Sequence, residues 1–435
     1  MILMLDRFFK LIEKITPQKW RWVLNHEGFR RYFANTGWMF FGQMFSLLVS
    51  FFIGAWLARY LGPENYGVLS YAVAFVGLFG FIASLGVDGI LNRELVKFPE
   101  KRDELLGTTF RLKIIGGSVA FILAVISAEL FQSSPLIKLL IILFSFSFIL
   151  QAINVVSIYF QAEVKSKNNV KALLFATIIS SLLKVLVIVF DKGVIWITAV
   201  YALDALWQGI GFVYTYKQFG LKTTKWKYDN VLAKEILKNS WPLMLASAAG
   251  FIYLRIDQVM IGAMMGNYEV GLYAAAVKLV EVWYFIPVII CASLFPAIVN
   301  AKKTSVEMYR RRLKNLYILM IVISVAIAVP VSLLAKPITY ILFGNGYLES
   351  VNILRIYIWS SVGFFLGMAV SQYLMAEDLI KTIFWLNFLA MLINIFLNLI
   401  FIPAFGLLGA AWATSISYLT VPIIVFGYKI FKKFY

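Results

Sequence analysis

Long apolar stretches recur along the whole chain and are separated by short polar ones. A helix needs roughly 20 apolar residues to cross a bilayer, and twelve stretches are long enough to qualify. Glycine, proline and asparagine break several neighbouring pairs, for example at 62–65, 133–135 and 343–346. The pattern therefore predicts an all-α polytopic membrane protein with about twelve transmembrane helices. Their approximate ranges are 34–60, 66–92, 109–131, 136–162, 170–190, 194–216, 240–265, 270–300, 315–335, 352–375, 380–402 and 406–428.

The composition supports this class and removes several kinds of chemistry. Hydrophobic residues make up 61% of the chain and charged residues 14%, whereas soluble domains carry roughly 25% charged residues. One cysteine, Cys291, and one histidine, His26, cannot supply a disulfide, a zinc site or a Cys–His nucleophile. The chain also lacks the phosphate-binding loop of nucleotide motors and the common hydrolase motifs. We therefore expect a protein that is not an enzyme and that has no metal site and no cofactor.

The formal net charge of +18 is distributed unevenly along the chain. In a twelve-span arrangement, 32 of the 40 lysines and arginines fall on one side of the membrane and five on the other. Such a bias marks the cytoplasmic side. It predicts a multi-pass protein of the cytoplasmic (inner) membrane with both termini in the cytoplasm. The charge then indicates contact with anionic lipids and not with nucleic acid.

A short pattern recurs in the second half of the chain at one constant offset in residue number. It consists of Asn35, Gly62 and Gly67 in the first copy and of Asn239, Gly266 and Gly271 in the second. Six spans separate the copies, and this even number gives both halves the same orientation. We therefore predict two six-helix lobes related by a parallel repeat, as in some transporters. Chance similarity between apolar helices joined by glycine turns is the alternative.

The repeat and the charges suggest four regions. In residues 1–33 the spacing places apolar residues on one face of a helix and basic residues on the other, which predicts a cytoplasmic interfacial amphipathic arm. The N-terminal lobe is expected at 34–219 and the C-terminal lobe at 240–435. Residues 220–239 are rich in lysine and are predicted to form a basic cytoplasmic linker between them.

Six ionisable residues fall inside the predicted spans, where a charge costs at least about 2.5 kcal/mol. They are Lys184, Asp204, Arg255, Asp257, Lys278 and Glu281. We predict that the three cations bind an anionic substrate in a central cavity. The three carboxylates would balance them or couple transport to protons or sodium. Their charges sum to zero, so the alternative is a set of structural ion pairs.

Two pairings across the predicted seventh and eighth spans are expected, because a tight turn makes these spans neighbours. Arg255 should reach Glu281, and Asp257 should reach Lys278. Asparagines at 387, 394 and 398 share one face of the eleventh span and are expected to form hydrogen bonds between helices.

Several motifs resemble one family of membrane proteins. They lie at 35–38, at 58–67 (Ala-Arg-Tyr-Leu-Gly-Pro-Glu-Asn-Tyr-Gly), at 255–258 and at 270–279. The chain resembles the O-antigen (Wzx-type) flippases of the multidrug/oligosaccharidyl-lipid/polysaccharide exporter superfamily. The resemblance implies two six-helix lobes around a cavity and alternating access. It implies transport of a polyprenyl-diphosphate-linked oligosaccharide to the outer leaflet for surface polysaccharide assembly, with glycan polymerase or assembly proteins as partners. Of the charged residues, Arg255, Asp257 and Lys278 match motif positions.

Three other functions stay open at this point. A drug or small-cation exporter of the same fold would favour an acidic cavity. A glycosyltransferase or polymerase would need catalytic acids in a long loop, and the longest outer loop has only Glu349. A non-transporting scaffold of a glycan-assembly complex would tolerate loss of the intramembrane charges.

Overall fold

A computed structural model describes the backbone of residues 27–434 and the side chains of residues 37–427. The predicted arm at 1–33 lies almost entirely outside the described residues. Within them the chain forms helices and turns and no strand, which confirms the all-α class. Eighteen α-helices follow one another, α1 to α18. Their bounds are Glu27–Gly77, Gly80–Ser84, Val87–Lys97, Arg102–Phe131, Pro135–Ser145, Ser147–Leu150, Val155–Ala162, Ser166–Val189, Val194–Gln218, Asn230–Tyr253, Ile256–Met264, Asn267–Glu281, Phe285–Thr304, Val306–Leu333, Ala335–Phe343, Ser350–Tyr357, Ser360–Ala376 and Ile380–Phe434.

Many of these helices are long and apolar enough to cross a membrane. In the part of the chain that the structure describes, nine helices qualify, or ten if the bent pair α10 and α11 counts as one span. The pair bends by 45° at residues 254–255. Two of the nine contain a glycine with non-helical backbone angles. α18 covers the predicted spans 380–402 and 406–428, whereas α1 covers 34–60 and only the first part of 66–92. The chain is therefore a multi-pass membrane protein, and most of its helices follow the predicted ranges, but the predicted span 66–92 is divided among the end of α1, α2 and α3.

Glycines produce the breaks inside the two longest helices. Gly62 has φ 70° in α1, and Gly406 has φ 59° in α18. Side chains with a Cβ avoid this region, so glycine is the residue that can reverse or offset a helix there. Pro63 follows Gly62 and suits the first position of a new helix, since it has no N–H to satisfy. The break at 62–65 expected from the sequence is therefore present.

The repeat is visible in the helix ends. Gly266, the counterpart of Gly62 in the second copy, also has positive φ, at 133°. The helix that follows each glycine ends at Gly77 in the first copy and at Glu281 in the second, and these two ends are related by the same offset as the glycines. The two copies therefore have the same local structure, which supports the predicted parallel repeat.

The two copies also contact each other reciprocally. A Cβ built on Gly67 would lie 1.7 Å from the carbonyl oxygen of Asn267, and one built on Gly271 would lie 1.9 Å from that of Pro63. Pro63 and Asn267 are themselves related by the offset of the repeat, so each copy presents the same two positions to the other. This is the signature of a two-fold relation between the copies. Glycine is required at both positions because the helix backbones touch.

Further contacts close the same end of the bundle, here called the glycine end. Buried Tyr347 donates a hydrogen bond of 2.7 Å to the carbonyl oxygen of Ala58, and its ring packs on Tyr66. Tyr60 donates to Asp191 at 2.7 Å within the first lobe. One continuous hydrophobic cluster contains buried residues from both lobes. The two lobes are therefore joined at the glycine end by backbone contacts and by a shared core.

The opposite end carries the segment between the lobes. Trp226 donates a hydrogen bond of 3.2 Å to Tyr216, and the backbone N–H of Lys227 donates to Asp103 at 3.1 Å. Asp229 then caps α10, its carboxylate accepting from the N–H of Leu232 at 2.8 Å. The helix therefore starts at Asn230, within the stretch predicted as a linker, and the residues before it are packed on the first lobe.

Candidate functional site

The six intramembrane charges fall into two groups. Lys184 and Asp204 lie on α8 and α9 of the first lobe, and the other four lie on α11, on α12 and at the bend before α11. Lys184 and Asp257 are buried, whereas Asp204, Arg255 and Glu281 are partly exposed. The sequence therefore located charges that share the interior of the bundle, although their pairing differs in part from the expectation.

The predicted pair between Arg255 and Glu281 is present. Arg255 stands at the bend between α10 and α11, and its Nη1 lies 3.4 Å from Oε1 of Glu281 on α12. About a third of each side chain is exposed, 32% and 29%. A guanidinium has five N–H donors, and this single contact leaves most of them available to an anion.

The predicted pair between Asp257 and Lys278 is wrong. The Asp257 carboxylate instead accepts hydrogen bonds from the Tyr273 hydroxyl at 2.6 Å and from the backbone N–H of Gln258 at 2.8 Å. Thr414 on α18 donates at 3.5 Å. The residue is 3% exposed, and hydroxyl and amide donors satisfy a buried carboxylate without a cation.

The asparagines of α18 extend this group. Asn394 donates to Thr414 at 3.4 Å, and Asn398 donates to Asn394 at 3.1 Å. The amide oxygen of Asn398 is buried and has no partner among the described residues. Of the three asparagines, Asn394 forms the predicted bond between helical segments, across the break at Gly406, whereas Asn398 bonds to Asn394 on its own segment. Both are linked with Asp257 in one polar chain through the second lobe.

Lys278 reaches from the second lobe to the first. A Cβ built on Gly54 of α1 would lie 1.8 Å from Lys278 Nζ, so the ammonium rests against the α1 backbone. Within the described residues it forms no ion pair, and the charges that act on it are those of Lys184 and Glu281. Lys278 is thus a cation at the junction of the lobes whose charge no carboxylate neutralises by contact.

Lys184 has two partners in the first lobe. Its Nζ lies 3.0 Å from Oδ2 of Asp204 and 3.6 Å from the ring centroid of Tyr201. A cation over an aromatic face is attracted by the ring quadrupole. The pair lies at the wall of a cavity of 390 Å³ whose lining is mostly hydroxyl and amide side chains.

Sequence reasoning missed the neutral members of these groups. Thr414, Tyr201 and Gly54 gave no signal, because hydroxyls, rings and glycines are ordinary in membrane helices. Tyr273 lies in the 270–279 motif, but nothing in the sequence marked it as the partner of Asp257. Gly54 could be recognised only from the position of Lys278, which belongs to the other lobe and to a distant part of the chain. The charges themselves were found because a charge inside an apolar span is costly.

Two family models match this chain. The model of a family described as polysaccharide biosynthesis protein matches residues 32–302, more than half of the chain. The chain therefore belongs to this family, and its expected resemblance to Wzx-type flippases is confirmed. A second model, described as MatE, matches residues 242–400.

A curated relative and two solved structures illustrate the similarity. An uncharacterized membrane protein of Methanocaldococcus jannaschii is 26% identical over 212 residues, which cover 48% of this chain and 49% of that protein. The chain spans about half the length of the curated relatives it matches. The lipid II flippase MurJ, in an inward closed conformation, is similar with a TM-score of 0.71 and 19% identity over 89% of this chain and 87% of that one. An inward-facing multidrug resistance MATE family transporter of the MOP superfamily is similar with a TM-score of 0.73 and 16% identity, over 89% of this chain and 94% of that one. These structures establish the exporter fold.

Proposed function

We propose that the protein is a flippase that moves a polyprenyl-diphosphate-linked oligosaccharide from the inner to the outer leaflet of the cytoplasmic membrane. Its family is that of polysaccharide biosynthesis proteins, and one structural neighbour is named a lipid II flippase. The observation that carries the proposal is Lys278, a cation between the lobes without a carboxylate partner among the described residues. A diphosphate would supply the missing negative charge.

The surroundings of Lys278 support a substrate with a lipid tail. A cavity of 420 Å³ is lined only by apolar side chains of both lobes, among them Phe51 of α1 and Trp283 beyond α12. Phe51 lies within one helical turn of Gly54, against which the ammonium rests. A diphosphate at Lys278 and the first isoprene units in this cavity would then be neighbours. Arg255 would add N–H donors to the same diphosphate, whereas Lys184, whose charge Asp204 balances at 3.0 Å, would face the glycan.

Asp257 is the proposed coupling site. Its carboxylate lies in a buried polar chain with Thr414, Asn394 and Asn398, and the oxygen of Asn398 has no described partner. A proton or a sodium ion bound here would change the charge of the second lobe during the transport cycle. Glu281 and Asp204 would balance Arg255 and Lys184. No resident cofactor is proposed, and the protein would not act as an enzyme.

The biological setting follows from the same function. The basic residues near the linker end would face the cytoplasm and contact anionic lipids, with both termini on that side. The glycine end would then face outward. The product would be used in O-antigen, capsule or other surface polysaccharide assembly, where glycan polymerase or assembly proteins would be partners.

Reconstituted flipping is the direct test. Purified protein in liposomes would receive a fluorescent polyprenyl-diphosphate oligosaccharide, and the fraction reaching the second leaflet would be measured over time. We expect protein-dependent flipping that Lys278→Ala lowers by about tenfold or more, as for a lost charge contact to a phosphate. Leu182→Ala on the exposed face of α8 is the matched control and should flip at the wild-type rate. Equal rates for wild type and Lys278→Ala would remove Lys278 from the site.

A second candidate is a multidrug exporter of the same fold, which the MatE match and the MATE neighbour favour. Such a protein would carry small cations, and an unneutralised lysine in the cavity repels them. Drug efflux from a sensitised host would distinguish the two. A scaffold without transport would keep its role in glycan assembly when Lys184, Arg255 and Lys278 are neutralised together.

A further inference from the structure

The cavity of the first lobe contains more polar groups than its ion pair needs. Three buried oxygen atoms at its wall have no hydrogen-bond partner among the described residues: Ser180 Oγ, Asn154 Oδ1 and Asp204 Oδ1. Ser180 is 4% exposed, so its hydroxyl is removed from bulk solvent. Buried polar groups in native proteins are nearly always paired. Three such oxygens around one cavity therefore indicate a wall that hydrogen-bonds to ordered water or to a polar ligand that displaces it.

The backbone around the cavity is shaped to present these groups. Residues Gln151–Asn154 form a 3-10 turn between α6 and α7, in the middle of the span Pro135–Ala162. A 3-10 stretch inside a helix often marks a functional hinge or local strain. Here it places Gln151 and Asn154 at the wall of the cavity that Ser180 and Lys184 of α8 also line.

The chemistry of the wall selects the kind of ligand. A carboxylate oxygen only accepts hydrogen bonds, so Asp204 Oδ1 requires a donor. Ser180, Asn154 and Gln151 can pair with groups that both donate and accept. Sugar hydroxyls do both. An ionised phosphate or sugar carboxylate offers only acceptors, so it could not donate a hydrogen bond to Asp204 Oδ1.

The charge of the cavity leads to the same ligand class. Lys184 and Asp204 neutralise each other at 3.0 Å, so the pair contributes no net charge. A metal cation at Asp204 would lie next to the Lys184 ammonium. A neutral polyol fits this wall, because a pair without net charge does not repay the cost of removing an ion of either sign from water.

The cavity adjoins the proposed diphosphate position. Ser50 of α1 lines the cavity, and Gly54, one helical turn further, contacts Lys278 Nζ. Residues four apart share a helix face and are separated by about 6 Å along the axis. In a lipid-linked glycan the first sugar is bonded directly to the diphosphate. A diphosphate at Lys278 would therefore place that sugar at the mouth of the cavity.

We infer that the first-lobe cavity is the subsite for the sugar unit next to the diphosphate and that it selects a neutral sugar over a uronic acid. The volume of 390 Å³ is near the lower end of the roughly 300–1,000 Å³ of ligand pockets. It suits one sugar unit and not a whole oligosaccharide. The inference rests on the proposed flippase function and assigns the substrate class that this part of the site accepts.

Three fluorescent lipids with the same polyprenyl diphosphate test the inference. One carries N-acetylglucosamine, one carries glucuronic acid and one carries no sugar. Flipping of each is measured in liposomes containing the full-length protein. We expect wild type to flip the N-acetylglucosamine lipid at least about tenfold faster than the glucuronic acid lipid.

Variants of the cavity give the second readout. Ser180→Leu fills the cavity, and Asn154→Ala removes an unpaired oxygen without adding bulk. Both should slow the N-acetylglucosamine lipid by about tenfold and leave the sugar-free lipid at the wild-type rate. Leu182→Phe, which changes an exposed side chain of the same helix, is the control and should alter none of the rates. Lys278→Ala should slow all three lipids.

The outcomes separate the subsite from the function. Equal flipping of both sugar lipids by wild type, with no selective loss in Ser180→Leu and Asn154→Ala, would overturn the subsite while the flippase function stands. Sodium-dependent thermal stabilisation that Asp204→Asn abolishes would make the cavity a cation site and also overturn it. Flipping of none of the lipids by folded wild type would overturn the proposed function itself.

Discussion

Alanine at Gly67 and Gly271 should force the glycine end apart. The two Cβ atoms would lie 1.7 Å and 1.9 Å from the carbonyl oxygens of Asn267 and Pro63, whereas real Cβ contacts essentially never fall under 3.0 Å. The two helices must therefore separate until both contacts are relieved. Backbone oxygens cannot move aside as a flexible side chain can, so the whole contact between α1 and α12 must open.

The size of the effect follows from the cost of overpacking. An added methyl group in a packed interface costs about 1–3 kcal/mol. If this cost applies only to the arrangement with a closed glycine end, the ratio of open to closed molecules rises by about 5- to 150-fold. The double variant Gly67→Ala/Gly271→Ala should lie near the upper value.

Distances between spin labels across the glycine end measure this ratio. Labels at Lys192→Cys in the first lobe and Asn345→Cys in the second would be introduced into a Cys291→Ala background, since Cys291 is the single cysteine. Both positions are exposed, and Asn345 adjoins the Gly344 turn that packs on Arg59. We expect a longer distance to gain population in the alanine variants.

Gly250→Ala is the matched control, because a Cβ there has no neighbour within 4 Å. It should leave the distances unchanged. If the Gly67 and Gly271 variants gave the same distances and the same thermal stability as Gly250→Ala, the close backbone contact between the lobes would be refuted.

Three further changes test the charged residues. Gly54→Ala places a Cβ 1.8 Å from Lys278 Nζ and should displace the ammonium, so flipping should fall by about tenfold. Thermal stability should hold, since alanine favours a helix over glycine by about 1 kcal/mol; flipping at the wild-type rate would contradict the prediction. Lys184→Met and Asp204→Asn should each lower the free energy of unfolding, and a double-mutant cycle should give a coupling free energy between the two residues of about 1–3 kcal/mol. A coupling free energy near zero would argue against the ion pair. Asp257→Asn preserves a hydrogen-bonding side chain but removes the charge, so the flipping rate should no longer respond to an imposed proton or sodium gradient. An unchanged response would exclude Asp257 as the coupling site.

The class of protein and its repeat could be predicted from the sequence. Apolar length alone identifies spans, because a bilayer core requires every backbone polar group to be satisfied within a helix. The constant offset between the two copies predicted the equivalence of Gly62 and Gly266, and both have positive φ. The pair between Arg255 and Glu281 was also predictable, since a short hairpin brings its two helices together.

Only the tertiary structure decided which neighbours each charge meets. Asp257 is paired with Tyr273 and with Thr414 of the last helix, and Lys278 of the second lobe lies against Gly54 of the first. Helical periodicity places a side chain on a face of its own helix but carries no information on which distant helix packs against that face. The cost of a charge in an apolar span therefore revealed where the polar groups are, and the packing of the lobes determined what they bind to.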